Sequence, residues 1–216
     1  MGKKFELTNE TKVWLGITLH RVKYLSDDKF WKKGELGGWI EKESNLSQDG
    51  DARVSGNAWV SGNACVSGNA RVSGNACVSG DACVYGNARV FDDARVSDDA
   101  YVSGNARVSG NACVSGDACV YGDAWVFGDA CVYGNARVYD DACVYGDAHV
   151  YGNACVYGDA HVYGNARMYG DAWVSARIDL CFKCKIDYEI TPRITIDSQK
   201  KLNEWNKAMK KLRVEA

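Results

Sequence analysis

Proline is almost missing from this chain: Pro192 is the only one among 216 residues. That excludes a proline-rich linker of the stiff, extended kind. No apolar run approaches the roughly 18 residues that cross a bilayer. The opening MGKKFELTNETK is charged where a secretory signal carries its apolar core. These absences lead us to expect a soluble, cytoplasmic protein without a membrane partner. Between residues 51 and 177 there is neither Lys nor Glu, and the charge there is 14 Asp against 8 Arg. The first 50 residues carry a net +1 and residues 178–216 a net +3. This mild asymmetry is not the basic stripe that announces nucleic acid. Histidine is scarce, with only His20, His149 and His161 to supply an imidazole base.

What is abundant is a repeat. Alanine recurs every six residues from Ala52 to Ala172, and valine follows two residues later from Val54 to Val174, with Met168 the one exception. The unit reads Ala-x-Val-y-Gly-(Asn/Asp) over 21 consecutive copies, with Asp for Gly at 92, 98 and 140 and Ala176-Arg177 closing the last. Strand alternation places Ala and Val on one face and x on the other. Gly, Asn and Asp tolerate positive φ, so each unit ends in a corner. Three sides close a coil of about 18 residues, and stacked coils pair as parallel strands roughly 4.8 Å apart. The expected fold is all-β: a three-sided parallel β-helix of about seven coils, some 34 Å long.

The copies can be compared with one another. Position x holds Arg, Cys, Trp, His or Tyr, residues largely linked by single-base changes. Position y holds Ser, Tyr or Phe, again one base apart. The inward alanine never drifts, and Asn or Asp never becomes Lys or Glu. Structure therefore filters the interior and the corner, while x and y are held loosely. Of the ten cysteines eight stand at x, so they read as repeat drift in a reducing compartment rather than a disulfide framework.

Val54-Ser-Gly-Asn-Ala58-Trp59 resembles the aliphatic-x-x-x-small-x unit of hexapeptide-repeat left-handed β-helices, over about residues 46–190. Leu19-His-Arg-Val-Lys-Tyr-Leu25, Lys33-Gly-Glu-Leu-Gly-Gly-Trp-Ile-Glu41 and Asn45-Leu-Ser47 resemble more narrowly the bacterial and prophage hexapeptide-repeat proteins labelled transferases. The resemblance implies a left-handed coil. It also implies two possible roles: an acyltransferase, normally a trimer with acetyl-CoA between subunits and a histidine base, or a phage accessory protein acting on a host factor.

Residues 1–45 are expected to form a cap built on a hairpin. Phe5 and Leu7 would lie on one arm, Val13, Leu15, Ile17 and Leu19 on the other, and the polar run Thr8-Asn-Glu-Thr-Lys12 would turn between them. Trp31 and Trp39 are candidate cap core. The β-helix is expected over 46–196. Residues 197–216 should form a capping helix, with Ser198 at its N-cap and Leu202, Trp205, Met209 and Leu212 on one face.

Stacking places residues 18 apart side by side. Arg53, Arg71, Arg89 and Arg107 would then form a ladder whose neighbours repel by about 1 kcal/mol in water. Either an acidic partner offsets that cost or the position is exposed drift. Tyr133, Tyr151 and Tyr169 form one aromatic column, and Tyr121, Tyr139 and Tyr157 another. Such columns stabilise a stack or, with Trp205, dock a partner. His149 and His161 are the candidate bases of an acyltransferase, though no loop interrupts the array to build a pocket around them. Cys181 and Cys184 have ligand spacing without a second half, so no metal site is expected. The favoured reading is a non-catalytic scaffold that binds another protein and needs no cofactor. The alternatives are the acyltransferase and a self-assembling protein whose coils stack end to end.

Overall fold

In a computed structural model the described residues are 2–175, 189–190, 203–204 and 207. From Arg53 to Val174 each hexapeptide contributes one two-residue strand made of x and Val. The strands sort by threes into three parallel sheets, giving a three-sided solenoid of about eight turns. Register is set by 18-residue steps, so Arg89 pairs with Arg71 and Arg107, and Val90 with Val72 and Val108. Every repeat alanine and valine, and Met168, is fully buried. The narrow interior explains why alanine never drifts: a larger side chain there would overfill a packed core.

Each corner uses the left-handed backbone, with Gly86 at φ 68 and Gly104 at φ 65. A Cβ on Gly86 would lie 3.0 Å from the backbone N of Gly104, so stacking coils also need the missing side chain. At three corners aspartate replaces the glycine: Asp92, Asp98 and Asp140, with φ of 59, 59 and 58. Each accepts a hydrogen bond through Oδ2 from the glycine N–H one coil on, Asp98 from Gly116 at 3.1 Å. Beside the corner runs an amide ladder. Asn69 donates to Asn87, Asn87 to Asn105 and Asn105 to Asp123, at 3.0, 3.0 and 2.8 Å. An amide both donates and accepts, while an ionised carboxylate only accepts, so each aspartate ends a ladder. Lys or Glu would break it, which accounts for their absence.

The N-terminal cap differs from its expected layout. Strand β1 (Phe5–Trp14) pairs antiparallel with β2 (Ile17–Tyr24), and the turn lies at Leu15-Gly16. The polar run at Thr8–Lys12 is therefore not the turn. It lies within β1, where the register slips between Leu7 and Thr11. A bulge and a turn share the same polar composition, so the sequence did not separate them. Strand β3 (Leu36–Ile40) pairs with β2 on one side and, in parallel, with Trp59–Val60 on the other. The first coil thus begins before residue 46, which adds one turn to the expected seven.

That first coil is two residues longer than the rest, since Ile40 pairs with Val60 and Leu46 with Val66. Gly50 nonetheless stacks on Gly68, so the two extra residues are Gln48 and Asp49. Gln48 ties the cap down. Its Oε1 accepts from the Lys4 and Phe5 amides at 2.8 and 3.3 Å, and its Nε2 donates to Phe5 O at 3.1 Å.

Side chains seal two of the three sheet edges at this end. The Tyr24 hydroxyl donates to Val54 O (3.1 Å) and accepts from Val54 N (3.2 Å). Lys4 Nζ donates to Ala52 O at 3.0 Å and Gly50 O at 3.2 Å, and burial lowers its pKa to about 8. The fully buried Asn45 donates to Gly62 O and Ala64 O. Trp31 and Trp39 are buried as expected, Trp31 stacked on Tyr24 at 4.6 Å. Of the expected terminal helix only Asn203, Glu204 and Lys207 are described; they are helical and exposed. Ser198, Trp205, Met209, Cys181 and Cys184 lie outside the described residues.

Candidate functional site

The interior and corners are committed to the fold, so chemistry is left to x, y and the cap. Arg53, Arg71, Arg89 and Arg107 stand in one register column, continued by Trp125, Cys143 and His161. Among the described residues no carboxylate lies within ion-pair distance of these four guanidiniums; the two ion pairs found are Lys3–Glu43 and Lys23–Glu6. Burial and the neighbouring Arg71 hold the Arg53 pKa below its ordinary value, and its buried Nη1 has no hydrogen-bond partner.

Aromatic rings hold the ladder at both ends. Phe30, from the cap, lies 4.3 Å from the Arg53 guanidinium carbon and 4.0 Å from that of Arg71. Trp125 lies 5.7 Å from that of Arg107. A ring at this distance restrains a guanidinium by cation–π attraction, and of the four it is Arg89 and Arg107 that are exposed. Beside the first three arginines runs a cleft of about 300 Å³, edged by Ser55, Ser73, Phe91 and Asp92, whose Oδ2 is engaged by the Gly110 N–H. Such a strip suits a carboxylate or phosphate, each oxygen of which can meet a forked N–H pair. Nothing in the sequence pointed to Phe30, since the cap loop carries it in from outside the repeat.

Both expected tyrosine columns form. Tyr121 stacks on Tyr139 at 4.9 Å, and Tyr139 on Tyr157 at 5.3 Å. Tyr133 stacks on Tyr151 at 4.9 Å, and Tyr151 on Tyr169 at 5.2 Å. A third column was missed: Phe127, Tyr145 and Tyr163, spaced 4.8 and 4.9 Å. The same 18-residue arithmetic would have found it. In the C-terminal half all three corners therefore carry a stacked aromatic ladder.

The histidines do not converge. His149 pairs with Cys131 and Arg167 on one face, while His161 pairs with Cys143 on another. Each sits edge-on to a tyrosine, Tyr133 and Tyr145 respectively. The described cysteines are free and line the faces in rows. Burial pushes the Cys65 thiol up to about 12, with help from Cys83 at 3.1 Å, and the Cys77 thiol up to about 11. Thiols so held are protonated and weakly nucleophilic.

Among the described residues no helix is long and apolar enough to cross a membrane. No curated protein matches the chain. Residues 64–81, 70–86, 82–98, 100–116, 130–146, 136–152 and 148–164 match the YdcK beta solenoid repeat. These stretches fall on the hexapeptides whose strands build the three sheets. The chain is thus a three-sided β-solenoid repeat protein whose repeats are similar to that solenoid's.

Proposed function

We propose that the chain is a non-catalytic scaffold that binds another protein, and that the arginine face is the surface that meets it. One observation carries this reading: four arginines in register, none within ion-pair distance of a carboxylate among the described residues. Repulsion along such a row is a standing cost that an acidic partner surface relieves. A rigid solenoid spaces the charges evenly, which favours a flat or extended carboxylate-rich surface. The stacked tyrosines at the corners are a second, less selective contact, since tyrosine contributes large apolar area with a polar tip. The resemblance to bacterial and prophage repeat proteins leads us to place the partner among host factors and the chain in the cytoplasm.

The test is a comparative pull-down from bacterial lysate. The wild-type chain should retain a partner that Arg71→Glu/Arg89→Glu loses and that elutes with rising salt, as screening of exposed charges requires. Equal recovery by both forms would remove the arginine face from the reading.

A further inference from the structure

Among the described residues, charge is sorted by sign along one face of the rod. In its N-terminal half that face carries Arg71, Arg89 and Arg107 at x, and the corner just before them holds Asn69, Asn87 and Asn105. In the C-terminal half the pattern inverts. Position x becomes Trp125, Cys143 and His161 in the same register, and the corner becomes Asp123, Asp141 and Asp159. The other two faces carry only isolated arginines, Arg95 and Arg167 on one and Arg137 on the other.

Each half therefore repels itself. The arginines stand one strand spacing apart, roughly 4.8 Å, and so do the aspartates. All three aspartates are exposed, and among the described residues none is in an ion pair. The carboxylates flanking the arginine half are otherwise placed. Asp51 precedes Arg53 in the cap coil, while Asp92 and Asp93 accept hydrogen bonds from the Gly110 N–H and the Asn75 amide.

A positive row followed by a negative row of equal spacing is complementary to its own reverse. A half-turn about an axis across the face, between the coils of Arg107 and Trp125, lays two rods antiparallel. It sets Arg107, Arg89 and Arg71 of one copy against the coils of Asp123, Asp141 and Asp159 of the other, and the reverse. Each aspartate stands two residues before the x position facing the arginine. That is a sideways step of at most roughly 6.6 Å at strand rise, which the long arginine side chain spans. At the opposite edge of the face the same axis sets Phe91 against Tyr145, an apolar contact beside the charged one. A parallel arrangement would set arginine on arginine.

We propose that this face pairs with a second copy of the chain in an antiparallel, two-fold contact held by Arg71–Asp159, Arg89–Asp141 and Arg107–Asp123. The inference rests on the reading of the arginine row as a surface for carboxylates, and it names their source in the isolated protein. One side of a narrow prism is a small interface, so the dissociation constant should be on the order of 10 µM.

Sedimentation velocity of the full chain at low salt, from about 1 to about 100 µM, brackets that affinity. The wild type should pass from monomer to dimer across the range and return to monomer near 0.5 M salt, as screening of exposed charges requires (about 4 Å at that strength). Asp123→Asn/Asp141→Asn/Asp159→Asn keeps a residue that the repeat itself uses at corners, so it should fold and yet weaken the dimer about tenfold or more. The same change at another corner, Asp81→Asn/Asp99→Asn/Asp117→Asn, should leave the dimer intact. Arg71→Gln/Arg89→Gln/Arg107→Gln should also stay monomeric alone, but mixed with the first variant it should associate, because that pair keeps one complete set of contacts. A wild type monomeric at every concentration overturns the proposal, and the pull-down still decides whether the arginine face meets a different protein. Equal loss from both aspartate variants, no association in the mixture, or species growing beyond two copies through these residues would overturn it as well.

Discussion

The residue that decides each turn of this solenoid is the one at the corner, where two demands meet. The backbone must be left-handed, and no side chain may block the next coil. Glycine meets both by default. Asp98 meets them differently: it occupies φ 59 and repays the strain by accepting the Gly116 N–H at 3.1 Å. Asp98→Ala should therefore lose both the hydrogen bond and any tolerance of positive φ, costing about 1–3 kcal/mol. Asp98→Gly should be close to neutral, because relief of strain offsets the lost bond. Urea denaturation of the two variants beside wild type measures the difference. Equal losses would show that the aspartate side chain contributes nothing to the corner. The requirement for Gly, Asn or Asp was readable from the repeats alone. Why three corners take Asp was not, since the acceptor's target lies 18 residues away and is backbone.

At the scale of elements, the cap shows where periodicity stops being informative. A solenoid has to end, and the end must satisfy strand groups that have no next coil. Buried Trp31 and Trp39 were legible as cap core because large aromatics are rarely left out of one. The turn was not legible, because its Leu15-Gly16 lacks the usual Asn or Asp while the polar run beside it imitates a turn. Nor was the sealing of the edges, which depends on single side chains reaching backbone some 30 to 50 residues on: Tyr24 to Val54 and Lys4 to Ala52. Tyr24→Phe keeps the ring stacked on Trp31 and removes only the hydroxyl. Two buried backbone groups of Val54 then lose their partner, which should cost about 2–4 kcal/mol. Because the capped coil seeds its neighbours, the loss should show as lower hydrogen-exchange protection in the first coils and far less change near Cys143 or His161. Uniform loss along the rod would mean that the solenoid melts as one unit and that the cap is not a local seal.

At the scale of the whole molecule, the rod amplifies whatever one position holds, because each x residue meets its counterparts above and below. The fold was legible for this reason: 21 copies of one hexapeptide leave little choice of architecture. The arginine column was legible too, as arithmetic on the same period, but what holds it in place was not. Phe30 and Trp125 clamp its ends through contacts that no repeat pattern encodes. Two accounts of the column make opposite predictions. If the clamped guanidiniums stack favourably, removing one should weaken the solenoid. If the row is a repelling array kept for an acidic partner, removing one should strengthen it. Arg89 is exposed and has an arginine on each side, so Arg89→Gln separates the accounts. We expect Arg89→Gln to stabilise the chain by about 0.5–1 kcal/mol at low salt, a gain that shrinks toward zero near 1 M as screening replaces the mutation. Added phosphate should raise the melting temperature of the wild type more than that of the variant, since only the wild type keeps the full row for the anion to bridge. Thermal melts across a salt series, with chloride and phosphate at matched ionic strength, measure both effects. Destabilisation by Arg89→Gln at every salt concentration would identify the column as structural, and the search for a partner would then move to the tyrosine corners.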